Sequence, residues 1–307
     1  MNDIYKANFI RAGQLAAQLR EFGAKLIVKG ASYNDVIQKV NQQIKILDKD
    51  AVAAFPPQIA LNQVAAHYLC PPGEDIIFKD QVVKLDVGVC YKGAIGDCAI
   101  TVDLSGKYGE LVAAANDALF QAQKILAVGV ELQEIGSTIE RTAHEHGYTS
   151  IKNLSGHGLG ENKIHMPPTI PNHNSGQTTT LKPGMTFAME PFVTDGKGLI
   201  YDAGNPTIFS FKQKVSVRSP AAKELLTVIQ KFNGLPFSIH NLIDAKIPLY
   251  KIRFGLMELL KADVLTAHAP LVEQEGGMVA QAENSILIDD DGNIFVTTHP
   301  DGPQKLN

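Results

Sequence analysis

The order of apolar patterns along this chain predicts an α+β protein built on antiparallel sheet. Two helix-period segments open it, two alternating segments joined by a short turn follow, and helices return before the last strand-like runs. Strands do not alternate one by one with helices, as a parallel sheet would require. GHGLG at 156–160 lacks the spacing and acidic partner of a dinucleotide fingerprint and the Gly-Lys-Ser/Thr end of a P-loop. The 307 residues are 45% apolar and 20% charged, an ordinary globular composition for one large domain or two smaller ones.

In chain order, residues 4–50 read as helices. Ile10, Leu15, Leu19, Phe22 and Leu26 recur near helical spacing, and after the break at KGAS a new helix starts at Ser32 with Val36, Val40, Ile44 and Ile46 on its apolar face. The stretch from Phe55 to Asp75 is turn-rich with short apolar runs. Then VVKLDVGVC alternates, with Val83, Leu85, Val87 and Val89 on one face, and YKGA joins it to AIGDCAITVDL as a hairpin. Residues 108–147 return to two helices, the second ending at Gly147. A polar, turn-rich segment is expected over 166–180, one strand over MTFAMEPFVTD, and a helical block over 220–267. The tail from Gly276 reads as two strands around an Asp/Gly turn.

Bulk properties exclude several classes. The formal net charge is −4 with a pI near 6.1, and no Lys/Arg block forms a nucleic-acid footprint. Three cysteines (Cys70, Cys90, Cys98) form no CxxC pair and no complete disulfide framework. The first residues lack the apolar core of a signal peptide, and no run approaches 18 apolar residues. A soluble cytoplasmic monomer is the expectation.

Five side chains stand out as one metal site: Asp86, Asp97, His157, Glu190 and Glu283. Each lies in or beside an apolar, strand-like or glycine-rich segment, where an ionised carboxylate is costly unless paired or bound to metal. Antiparallel pairing of the two strands brings Asp86 and Asp97 close, where a cation relieves their repulsion. Taken singly, either aspartate also reads as an ordinary buried Asp paired with Lys84 or a backbone cap. Four carboxylates and one imidazole form a hard O/N donor set suited to Mn, Fe, Co or Zn. They exceed the needs of one ion, which suggests two with shared ligands.

Longer motifs add a family. AFPPQIALNQVAAHY, KLDVGV, GDCAITVDL, SGHGLG, KIH, LKPGMTFAMEPF, LPF and VAQAENSILI stand in the order of the type II methionine aminopeptidases of peptidase family M24. The chain resembles that family, in its short archaeal-like form, over nearly its whole length. The resemblance implies the pita-bread fold, a curved antiparallel sheet flanked by helices, as a single catalytic domain over 1–307 with a helical insertion at about 213–270. It implies Asp86 on one ion, Asp97 and Glu283 bridging, and His157 and Glu190 on the other. His67 and His165 resemble the two histidines that border the scissile bond, and Glu190 doubles as proton shuttle. Phe55 and Ile164 resemble pocket residues for the methionine side chain.

The chain departs from the family at Asn284, where the family has His after the bridging glutamate, and at Cys90 and Cys98, where His and Thr are common. His268 stands where a pocket tyrosine is usual, and its protonation near the ordinary pKa of about 6.5 is expected to weaken binding of an apolar side chain. The implied activity is removal of the N-terminal methionine from peptides and nascent chains, with two divalent ions and transient ribosome association. The alternatives are a proline-type peptidase or a non-catalytic binding protein on the same fold. The missing large N-terminal domain and the insertion argue against the first, and the complete ligand set argues against the second.

Overall fold

The computed structural model describes residues 1–306. Helices α1 (Asp3–Leu26) and α2 (Tyr33–Leu47) open the chain, each with a side-chain cap. The Asn2 side chain accepts from the Tyr5 amide, and the Ser32 hydroxyl accepts from the Asp35 amide. Short strands β1 (Ala51–Ala53), β2 (Gln58–Leu61) and β3 (Val64–Ala66) precede the long hairpin of β4 (Val82–Tyr91) and β5 (Ala94–Asp103). Its two-residue turn has Lys92 and Gly93 both at positive φ, 49° and 87°, the geometry that matches strand twist.

Helices α3 (Gly109–Lys124) and α4 (Leu132–Glu145) follow, then β6 (Thr149–Ser150), β7 (Ser155–Gly160), β8 (Lys163–Pro171), β9 (Thr186–Met189) and β10 (Phe192–Thr194). Next come β11 (Ile200–Asp202), β12 (Ile208–Phe211), α5 (Pro220–Ile229), β13 (Phe237–Ser238), α6 (Ile239–Asp244) and α7 (Leu249–Lys261). The chain finishes with β14 (Leu265–His268), β15 (Leu271–Glu273), β16 (Val279–Gln281), β17 (Asn284–Ile288), β18 (Ile294–Val296) and β19 (Gln304–Leu306).

Every strand ladder among the described residues is antiparallel, as the α+β expectation requires. The largest sheet runs β19-β18-β17-β9-β7-β8, and β4 centres another with β1, β2 and β5. Helices cover the outer faces. Leu15, Leu19 and Val40 of α1 and α2 pack with Leu85, Val87 and Val89 of β4. Leu111, Leu119 and Ile139 of α3 and α4 pack with Phe187, Ile286 and Ile288. A third core joins Leu225, Leu256 and Leu259 of α5 and α7 to Phe209 and Phe237. Close contact between α1 and β5 requires Gly96, where a Cβ would stand 2.4 Å from the Ala12 carbonyl oxygen. No helix is long and apolar enough to cross a membrane.

Five expectations need correction. Ile46 is 74% exposed, because two residues past Ile44 it points to the opposite side of α2. The tail over 276–298 holds three strands, β16, β17 and β18, because the segment passes from one sheet to another between Gln281 and Asn284. Residues 163–171 form β8, although 166–180 reads as a polar turn region. Five of these nine side chains are exposed, so burial leaves no alternation, and the strand is held by its ladder to β7. MTFAMEPFVTD is two strands in different sheets, broken at Glu190–Pro191, where proline cannot donate to a ladder. The block 220–267 is not all helix: β13 and β14 lie within it or at its end and pair with β12.

Candidate metal centre

One cavity of about 450 Å³ is lined by all ten expected site residues: Phe55, His67, Asp86, Asp97, His157, Ile164, His165, Glu190, His268 and Glu283. Strand register explains how the five ligand candidates meet. Asp86 pairs with Ala99 and Asp97 with Gly88, so the two carboxylates leave one face of the hairpin as diagonal neighbours. Gly88 leaves room there for Phe55, whose ring would lie 2.3 Å from a Cβ. In the large sheet, His157 pairs with Ala188 and Ala188 with Ser285, setting the three in one row.

The ladder then breaks, but its register does not. Met189 pairs with Asn284 before the break and Phe192 with Gln281 after it, which sets Glu190 opposite Glu283 in the gap. The two halves of the site are joined by Ser285, whose hydroxyl accepts from the Asp97 amide and donates to the Asp97 carbonyl, both at 2.8 Å.

Ligand atoms of Asp97, His157 and Glu283 lie within 4.8 Å of one another. His157 Nε2 is 3.7 Å from Asp97 Oδ2 and 3.5 Å from Glu190 Oε1. Among the described residues, His157 is the one ion-pair neighbour of these carboxylates. Lys84, the alternative partner for Asp86, is turned away: its Nζ donates to the Asn62 carbonyl at 2.7 Å. Asp86 Oδ1 and Asp97 Oδ1 are buried without any hydrogen-bond partner.

Such a set lacks positive charge. Burial pushes the Asp86 carboxyl up to about 7. It also holds Asp97, Glu190 and Glu283 well above the carboxylate range, with their mutual repulsion adding to it. Burial, then the neighbouring His165, pushes His157 down to about 3, so its imidazole is neutral. A contact of 3.4 Å between Nδ1 and the Gly158 carbonyl favours the proton on Nδ1 and leaves the Nε2 lone pair toward the carboxylates. Orphaned carboxylate oxygens and a neutral imidazole aimed at them fit a divalent cation.

A pH dependence follows. The metal-free folded chain keeps these protons to higher pH than the unfolded chain does. The carboxyls' share of its stability is therefore full below about pH 4 and falls as pH rises through about 7. The buried neutral imidazoles of His67, His157 and His165 act in the opposite sense, adding stability that is full above about pH 6.5 and is lost as pH falls through about 4 to 3. The melting midpoint of metal-free protein is expected to drop between about pH 6.5 and pH 8, where the carboxyls act unopposed by the imidazoles. Added divalent metal should stabilise more at pH 8, where fewer protons compete. A flat or rising metal-free midpoint would contradict the buried, cation-free cluster.

Three more imidazoles face the cavity. His67 and His268 rings are 5.4 Å apart, His165 and His268 are 6.2 Å apart, and His165 and His157 are 4.5 Å apart. His67 takes a left-handed backbone, φ 60°, and its amide donates to Gln58 Oε1 at 2.7 Å. That conformation costs on the order of 1–3 kcal/mol and persists where surroundings impose it. Gln58 itself pairs with Asp86, so one side chain links the ligand strand to His67. Burial pushes His67 down to about 3, and burial with the neighbouring His268 lowers His165.

Sequence reasoning missed Gln58, Gln281 and Arg20. Buried Arg20 donates to the Glu283 carbonyl at 3.3 Å and to Asn284 Oδ1 at 3.1 Å, and Thr298 donates to the same oxygen at 2.8 Å. Asn284 thus has a complete role behind Glu283. Cys98 packs in the core under α1 and α2, and Cys90 in the core beside Phe55, so neither adds a donor to the cluster.

Buried carboxylates and an imidazole gathered in a cavity of this fold define a metal-dependent hydrolase. The model of metallopeptidase family M24 matches residues 7–219. The chain is 37% identical over 291 residues to the methionine aminopeptidase of Methanocaldococcus jannaschii, covering 94% of this chain and 97% of the relative. It superposes on the crystal structure of methionine aminopeptidase from Thermotoga maritima with TM-score 0.70, at 23% identity over 97% of this chain and 98% of that one. A thermophilic Arx1 structure has the same fold, with TM-score 0.82 at 15% identity over 97% and 91% of the two chains. The chain belongs to metallopeptidase family M24 and, within it, to the methionine aminopeptidases, and it has their pita-bread fold.

Proposed function

We propose that this protein hydrolyses the peptide bond after an N-terminal methionine in peptides and nascent chains. The observation that carries this is the single cavity in which five metal-ligand side chains, three further imidazoles and the apolar Phe55 and Ile164 meet. Asp86 would hold one ion and His157 and Glu190 the other, with Asp97 and Glu283 shared between them. The ions are Co, Mn, Fe or Zn by donor type. When bound, such ions polarise a carbonyl and acidify a water. His165 donates a hydrogen bond to the oxyanion that develops on the scissile carbonyl, and His67 orients the peptide nitrogen. The Glu190 carboxylate would accept a proton from the attacking water and pass it to the leaving amine as the peptide C–N bond breaks. Phe55 and Ile164 pack against the methionine side chain.

We take residues 1–307 as one catalytic domain with 213–270 inserted in it, working as a cytoplasmic monomer with transient ribosome association. The test is release of free methionine from Met-Ala and Met-Pro peptides by metal-loaded protein. Methionine release is expected from peptides with small second residues. Cleavage confined to X-Pro dipeptides would favour a proline-type peptidase, and no cleavage with any of the four metals would favour a binding protein.

His268 tunes the first-residue pocket. Its Nε2 is 2.5 Å from the Ser210 hydroxyl, and burial lowers its pKa, so protonation occurs below the ordinary 6.5. Selectivity among Met-, Leu- and Ala-initiated peptides is expected to shift by up to about tenfold in His268→Tyr. As pH falls, the wild type should lose kcat/KM for methionine more steeply than His268→Tyr does. Identical selectivity and pH profiles in both proteins would put His268 outside the pocket.

A further inference from the structure

The carboxylate cluster contains one neutral hydrogen-bond donor. Gln281 is 1% exposed and sits behind the carboxylates, outside the cavity lining. Its Nε2 is 3.4 Å from Glu190 Oε2 and 3.4 Å from Glu283 Oε2. Two of the four carboxylates therefore share one NH₂ group.

The backbone aims this side chain. Gln281 ends β16 two residues before Glu283, on the same strand face. Its amide donates to Thr101 Oγ1 at 2.8 Å, and its carbonyl accepts from the same hydroxyl at 2.7 Å. Phe192 of β10 pairs with it on the other side. The Cα is thus fixed between two strands before the side chain begins.

An amide differs from the alternatives in a way that matters here. A lysine or arginine would set a permanent positive charge against incoming divalent ions. An apolar side chain would leave the carboxylates free to rotate and repel. The amide NH₂ has two donors and no lone pair to compete as a ligand.

On the metal-site reading above, we infer that Gln281 is a positioning residue whose side-chain amide orients the Glu190 and Glu283 carboxylates to receive divalent ions. It acts through the carboxylates and touches no substrate. Partners of this kind tune metal affinity by about 10–100-fold.

The test is calorimetric titration of metal-free protein with Mn²⁺, in wild type and in Gln281→Met, which keeps length and loses the donors. The variant is expected to bind about 10–100-fold more weakly, with the same number of ions at saturation. Its turnover should recover toward wild type at high Mn²⁺, which a purely structural defect would not do. Unchanged affinity in a folded variant overturns the role of Gln281 alone. A wild type that takes up no Mn²⁺ overturns the metal-site reading with it. Should Gln281→Met not fold, the side-chain amide resonance of Gln281 in wild type decides. It is expected to shift in step with Zn²⁺ binding, and a resonance unmoved by bound Zn²⁺ overturns the assignment.

Discussion

Asp97→Ala and Glu283→Ala are each expected to abolish methionine release, by about 10⁴-fold or more, and to lower bound metal for both ions together. These two carboxylates and His157 form the tightest group of ligand atoms in the site, within 4.8 Å. Asp97 Oδ1 has no protein partner at all, so its structural value without metal is small. Removing either carboxylate also removes a buried like charge. The metal-free variants should therefore melt no lower than metal-free wild type at pH 8, which separates loss of a ligand from loss of the fold. Variants that keep two tightly bound ions and near-normal turnover would defeat the bridging assignment.

His165→Ala should retain its metal yet lose about a hundredfold in kcat, or about 3 kcal/mol of transition-state stabilisation. A donor to a developing oxyanion acts in the transition state more than in the ground state, so KM should move far less. Burial with the neighbouring His268 lowers the His165 pKa, so the group is neutral at working pH and donates as an imidazole. Its ring packs 4.5 Å from that of His157, so metal content must be measured alongside turnover. His67→Ala should also slow turnover with metal retained. Unchanged kcat in His165→Ala with both ions in place would remove the oxyanion role.

Much of the fold was legible because local signals agreed with the global arrangement. The β4–β5 hairpin announced itself through alternation and a Lys-Gly turn, and the polar members of that alternation proved to be Lys84, Asp86 and Gly88. The five ligand candidates were visible because charged or imidazole side chains in apolar surroundings are rare without a partner. What stayed hidden was set by distant pairing. β8 has mostly exposed side chains and three prolines, and only its ladder to β7 makes it a strand. β14 exists because β12, far back in the chain, pairs with it.

Gln58 and Gln281 carry no local mark, since a glutamine in a short strand reads the same whether it faces water or a carboxylate cluster. The left-handed His67 is likewise fixed by Gln58 across a turn, not by its own neighbours in sequence. Asn284, a departure from the family at sequence level, is explained only by Arg20, which arrives from the first helix.

The central claim is that Asp86, Asp97, His157, Glu190 and Glu283 hold metal in one centre. Anomalous scattering from crystals of protein loaded with Mn²⁺ or Co²⁺ tests it most directly. Difference peaks are expected among these five side chains, with Asp97 and Glu283 between two of them. An empty cluster, or peaks bound elsewhere on the chain, would contradict the account.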